Sequence, residues 1–172
     1  MDKRFRIEDT PIAKVIEFTS YGQGSDDSLA ADPSTARTFG NAWPLKPGGV
    51  RWAAAGRAEL LHIAANRWFA PDPSSETLEL IDAADAANIG VAVDVSGKWH
   101  GLSLVGADAD SALAACIDIG AVLEDRDCAA LRLFDSPAII ARRPDGYSLW
   151  VHASFATDCV VMLTRWRPKN WA

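Results

Sequence analysis

Cysteine is scarce in this sequence: Cys116, Cys128 and Cys159 are the three residues present, and no two stand in Cys-x-x-Cys spacing. An odd count without that spacing suits reduced thiols better than a disulfide framework. It predicts a cytoplasmic setting. Histidine is as rare. His62, His100 and His152 are widely separated, and a metal site needs ligands that converge from defined short spacings. They read as strand-surface or interface histidines, so no metal is expected. Basic residues are outnumbered, 17 Lys and Arg against 23 Asp and Glu, for a net charge of -6. A chain with a pI near 5.0 repels a phosphate backbone, which excludes a nucleic-acid partner. No apolar run approaches the roughly 20 residues that cross a bilayer, so no membrane segment is expected. The opening residues, Met1-Asp-Lys-Arg-Phe-Arg6, lack the apolar core and cleavage site of a signal peptide. A dinucleotide fingerprint is missing too. Gly22-Gln-Gly24 has neither a third glycine nor a preceding strand and reads as a turn.

What is present is an ordinary core composition, 49% hydrophobic and 23% charged, distributed over two regions of unlike character. Residues 1–50 read as an irregular N-terminal extension. Glycines and prolines from Gly22 to Gly49 interrupt any periodic segment. Ile12, Val15, Ile16, Phe18, Phe39, Trp43 and Leu45 are apolar anchors that need a surface to dry against, either the chain's own domain or another subunit. Residues 51–172 read as an α+β domain.

In that domain Leu60–Ile63 is a compact apolar strand, turned at Ala65-Asn66 and answered by Trp68-Phe69. Asp72 followed by Pro73 is a helix-start signature. Beyond it Thr77, Leu80, Ile81 and Ala84 share one helical face, and Glu76, Glu79, Asp82 and Asp85 the other. Asn88 and Gly90 end that helix. Val91–Ser96 and Trp99–Val105 read as a hairpin about Gly97-Lys98. Ala109, Ala112, Leu113 and Cys116 keep the spacing of one short helix stopped by Gly120. Cys128–Leu133 alternates as a strand, Ile139-Ile140 and Leu149–Val151 flank a turn at Asp145-Gly146, and Phe155, Cys159, Met162, Leu163 and Trp166 line a last helix. Strand, turn, Trp-containing strand and helix thus occur twice, at 60–87 and 139–166, with Trp68 and Trp150 in matching places. Two strand-strand-helix halves with antiparallel sheets and helices packed on one side is the fold class expected.

Few residues are left over for chemistry. Cys116 and Cys159 fall on buried helix faces, and Cys128 beside Arg126 and Asp127 is the one candidate reactive thiol. The acidic helix face reads first as solvated, and secondly as able to dock on a basic subunit surface. Of seven tryptophans, Trp43, Trp52 and Trp171 lie outside the regular elements, and stray aromatics of this kind favour partner contact.

The order of these elements resembles the gamma subunit of heterotetrameric sarcosine oxidase, a small member of the folate-binding aminomethyltransferase-like fold. The likeness runs from Arg57 to Trp166. It rests on Ile63-Ala-Ala-Asn-Arg67 before Trp68-Phe69, on Val93-Asp-Val-Ser96, on Ala115-Cys-Ile-Asp118, and on the aromatic strand Tyr147–Phe155 leading into a helix. The turn before Trp68 lacks the proline and acids of the family pattern. The resemblance implies a non-catalytic subunit that stabilises the alpha subunit of an enzyme demethylating sarcosine or a related N-methyl amino acid. Its partners would be the alpha, beta and delta subunits. FAD, FMN, NAD and tetrahydrofolate would belong to those partners, and none to this chain. The acid used by related aminomethyltransferases has no clear counterpart; Asp94 is a candidate only as an acid on a strand. Two alternatives stand beside this reading: a stand-alone folate-binding protein of the same fold in one-carbon transfer, and an unrelated protein-interaction domain.

Overall fold

The computed structural model describes residues 5–21, 46–53 and 56–165. They build an α+β chain with two antiparallel five-stranded sheets, divided into two compact units, Ile12–Ser96 and Met1–Pro11 with Gly97–Ala172. The chain opens on two strands, β1 (Arg6–Thr10) and β2 (Val15–Ser20). This corrects the irregular reading at residues 6–10 and 15–20; residues 1–4 and 22–45 of the expected extension lie outside the described ones. Val15, Ile16 and Phe18 find their dry surface inside a sheet, where they are 0%, 7% and 2% exposed. The alternation is too short, and too close to Pro11 and the glycines, to stand out as a strand pattern.

The unit Ile12–Ser96 continues with β3 (Val50–Trp52), β4 (Ala58–Ala64), β5 (Arg67–Pro71), helix α1 (Ser75–Ala86) and β6 (Gly90–Asp94). Its sheet order is β3-β4-β5-β2-β6. The two-residue turn Ala65-Asn66 closes β4 on β5, with Ala64 opposite Arg67. Ile16, Phe18, Leu60, Trp68 and Ala70 form a core with Ile81 and Ala84 of α1. The acidic residues of α1 face outward, so the amphipathic reading holds. Its start differs: Ser74 is the N-cap, accepting from the Thr77 N–H at 3.3 Å. Asp72 has φ +43 and turns its carboxylate on the β1–β2 connection instead, accepting from Ala13 N–H at 2.7 Å and Lys14 N–H at 2.8 Å. Asn88, at φ +57, ends the helix in the left-handed conformation. Gly90 already belongs to β6, where a Cβ would lie 2.5 Å from the Phe18 ring.

The second unit carries β7 (Trp99–Val105), α2 (Ala109–Ala114), α3 (Ile119–Val122), β8 (Cys128–Leu133), β9 (Ser136–Arg143), β10 (Gly146–His152) and α4 (Ala156–Arg165). With β1 these strands take the order β1-β7-β10-β9-β8. Leu102, Leu104, Ile140, Tyr147, Leu149 and Val151 bury the sheet face that meets Ala109, Leu113, Ile119, Cys159 and Leu163 of the helices. Two expectations fail here. The Val91–Val105 hairpin does not form, because β6 pairs with β2 in one sheet and β7 with β1 and β10 in the other. The predicted single helix is two. Gly120 lies inside α3, which Asp118 caps by accepting from the Ala121 N–H at 3.1 Å.

Read from the other edge, the second sheet is β8-β9-β10-β7-β1, the counterpart, strand for strand, of β3-β4-β5-β2-β6. In each unit the hairpin β4–β5 or β9–β10 runs into a helix, α1 or α4. The strand after α1 is β6; its counterpart in the second sheet is β1, supplied from the start of the chain.

Candidate functional site

At one end of the second sheet, the loop leaving β7 and the β9–β10 turn border a cleft of about 450 Å³. Two glycines shape it. Gly106 has φ +126 and donates its N–H to the Asp145 carbonyl at 3.1 Å, tying the loop to the turn. Gly146 has φ +144, and a Cβ there would sit 2.0 Å from the Leu104 carbonyl oxygen. Only glycine permits so close an approach.

Arg142, Arg143, Asp145, Tyr147, Ala109 and Asp110 line the cleft. Arg143 is held: its Nε and Nη2 donate to the two Asp145 carboxylate oxygens at 3.0 and 3.3 Å, and its Nη1 to Ser103 Oγ at 3.1 Å. Arg142 is aimed by a different contact, Nη2 to the Leu123 carbonyl at 3.3 Å. Tyr147 is buried and donates its hydroxyl to Asp110 Oδ1. Burial, then the Asp110 hydrogen bond and charge, push the phenol up to about 12, against a smaller opposing pull from Arg142. The cleft therefore places Arg142 and Asp110, beside the Arg143–Asp145 ion pair, around a phenol that stays protonated.

A second polar cluster serves structure. Glu59 is 5% exposed and accepts from Thr77 Oγ1 at 3.1 Å and Ser74 Oγ at 3.3 Å. Arg51 stands 3.7 Å from it and reaches Glu76 at 2.8 Å. A buried carboxylate with these donors pins the α1 start to β3 and β4.

The residues singled out from the sequence scatter. Trp52 ends β3, half-buried; Trp43, Trp166, Trp171 and Gly22-Gln-Gly24 lie outside the described residues. His62 is buried in β4 and stacks on Trp68 with ring centroids 4.3 Å apart. His100 pairs with Asp9 at 2.9 Å, and His152 meets the Trp99 ring edge-on at 5.3 Å. Among the described residues no His, Cys, Asp and Glu cluster could hold a metal. The reactive-thiol reading of Cys128 is corrected: it is 0% exposed within β8. Burial pushes the Cys159 thiol up to about 12, with a further push from Cys116, itself raised by burial. Asp94 is exposed, and its carboxyl is held below the usual range by the Ser96 hydroxyl and then the Ser96 N–H. It works as a turn lock. Asp110, Arg142 and Tyr147 were not foreseen. The available signal was Arg142-Arg143 directly before the Asp145-Gly146 turn, charges placed where a hairpin end gathers them.

Neither a family model nor a curated protein matches this chain. Solved structures do. One chain of "Heterotetrameric Sarcosine Oxidase from Corynebacterium sp. U-96 in complex with pyrrole 2-carboxylate" superposes with a TM-score of 0.68 over 100% of this chain and 90% of that chain, at 16% identity. The two chains share a fold. At that identity the likeness reaches the arrangement of the elements and stops there. No helix among the described residues is long and apolar enough to cross a membrane.

Proposed function

We propose that this chain is a gamma-type, non-catalytic subunit of a heterotetrameric, flavin-dependent oxidase that demethylates sarcosine or a related N-methyl amino acid in the cytoplasm. The observation that carries the reading is the shared fold over 100% of this chain and 90% of a chain of a heterotetrameric sarcosine oxidase. The order of sequence elements points the same way independently of the coordinates. Its role is to brace the alpha subunit, with beta and delta subunits completing the assembly. FAD, FMN, NAD and tetrahydrofolate are held by those partners. Trp43, Trp52 and Trp171 contribute contact area, as aromatics do at the centres of interfaces.

Co-expression with the flavoprotein-sized chains of the same oxidase tests the proposal. Tagged chain is expected to retain them through gel filtration, together with flavin absorbance, and tryptophan fluorescence is expected to shift on assembly. Purified chain that bound flavin tightly, or turned over sarcosine alone, would overturn it. So would failure to retain any of the larger chains.

A further inference from the structure

The cleft between the β7–α2 loop and the β9–β10 turn holds two opposite charges that do not neutralise each other. Arg142 donates to a backbone carbonyl, that of Leu123 at 3.3 Å, and no acid among the described residues pairs with it. Asp110 accepts the Tyr147 hydroxyl, and no base among the described residues pairs with it. Arg142 and Asp110 line the same cleft as the Tyr147 phenol. Yet no ion pair joins them. The neighbouring Arg143 and Asp145 show the contrast, closing on each other through two hydrogen bonds at 3.0 and 3.3 Å.

We propose that this cleft binds a small zwitterion of the α-amino-acid class, its carboxylate on Arg142 and its ammonium on Asp110. The chemistry follows from what each group still offers. Arg142 keeps guanidinium N–H groups beyond the one given to the Leu123 carbonyl, and charged donors of this kind suit a carboxylate. Asp110 keeps its second oxygen, an acceptor for an ammonium N–H. Each charge favours its partner, and the two together reject ligands carrying one charge only, since one residue then loses solvent without gaining a counter-ion. The walls suit a short side chain: Ala109 and the backbone at Gly106 and Gly146 leave apolar room, and about 450 Å³ exceeds what a small amino acid fills. Tyr147 fixes the acid, because its hydroxyl holds one Asp110 oxygen, Oδ1, and leaves Oδ2 to accept from a ligand. The ring is itself fixed by burial in the core of this unit. The site belongs to this chain alone and does not depend on its assembly into an oxidase.

Nuclear magnetic resonance titration of the full chain tests the site, following the Gly106 and Gly146 amides. Glycine, L-alanine and N-methylglycine are the zwitterions; propionate and propylamine, at matched ionic strength, carry one charge each. Saturable shifts at these amides are expected with zwitterions, with at least tenfold weaker response to the singly charged probes. Arg142→Gln and Asp110→Asn are each expected to weaken zwitterion binding about tenfold or more, the cost of one charge-assisted contact. Both residues are exposed, so unchanged circular dichroism should accompany the loss. Arg132→Gln, an exposed arginine on β8, should change nothing. The proposal is overturned if propionate or sodium chloride reproduces the shifts. Binding that survives Arg142→Gln, or shifts that never saturate, overturn it equally.

Discussion

Tyr147 carries a clear pH signature. Its phenol is raised from 10 to about 12 by burial first and by Asp110 second. The folded chain therefore holds this proton where the unfolded chain has released it. Tyr147 contributes stability that is fully present below about pH 10 and is lost as pH climbs through about 12. The sequence has two tyrosines, and the other, Tyr21, is 60% exposed. In a Tyr21→Phe background the tyrosinate absorbance reports Tyr147 alone. Its midpoint is expected near 12, and adding Asp110→Asn should move it down, since the negative charge disappears while an amide oxygen can still accept the hydroxyl. A midpoint unmoved by that change would show that the Asp110 charge has no part in the shift. The thiols give a second reading at this scale. Cys128 and Cys159 are 0% exposed and burial keeps the Cys159 thiolate from forming, so a thiol reagent should find one slow site, Cys116, until denaturant is added. Fast labelling of more than one cysteine in the native chain would contradict that packing.

Turns and caps decide how each element sits, and two glycines separate a required one from a permissive one. At Gly146 a methyl group would lie 2.0 Å from a backbone oxygen at a φ of +144 that L residues avoid, whereas at Gly97 nothing lies within 4 Å. Gly146→Ala is expected to lower stability by on the order of 3 kcal/mol or more, combining strain with backbone displacement. Gly97→Ala should stay within about 0.5 kcal/mol. Urea midpoints measured on both variants check the contrast. Ser74→Ala should cost about 1 kcal/mol through the lost cap of α1, with an added loss from the Glu59 contact. The same elements show what a sequence pattern can and cannot reveal. The amphipathic face of α1, the Ala65-Asn66 turn and the Asp145-Gly146 hairpin were legible because their determinants lie within a few residues. The 91–105 hairpin was misread because a glycine between two apolar strands is a local sign, while the partners that decide the pairing, β2 for β6 and β10 for β7, are distant in the chain. The cleft was illegible for the same reason. Asp110 and Tyr147 are 37 positions apart, and nothing in either segment marks the other.

At the scale of the whole chain the two sheets repeat one strand order, and the repeat closes on itself through its first strand. In the unit Ile12–Ser96, α1 is followed within three residues, Ala87 to Ile89, by β6 at the sheet edge beside β2. In the second unit α4 is the last described element, and the matching edge beside β7 is filled by β1. The register of β1 on β7, Arg6 opposite Val105 through Thr10 opposite Gly101, leaves this strand held mainly by its ladder, since its side chains are exposed apart from a half-buried Ile7. Two side-chain contacts add to it, Thr10 with Ser103 at 2.8 Å and Asp9 with His100 at 2.9 Å. If the duplicated order reflects how the sheet is built, the position in space matters and the position in sequence does not. A circular permutant that begins at Ile12 and carries residues 1–11 after Ala172 through a short flexible linker should therefore fold with the same circular dichroism. Loop length changes cost only fractions of a kcal/mol per doubling, roughly 0.6, so its melting temperature should fall within a few degrees of the parent. Deleting residues 1–11 outright should lower it much further, because β7 then becomes an unprotected edge with unpaired backbone groups beside buried Leu102 and Leu104. The deletion should also raise the tendency to aggregate through that edge. A permutant that melts as low as the deletion would mean that β1 must be tethered through Pro11 to β2 to find its place, and the correspondence of β1 with β6 would then be one of drawing order alone.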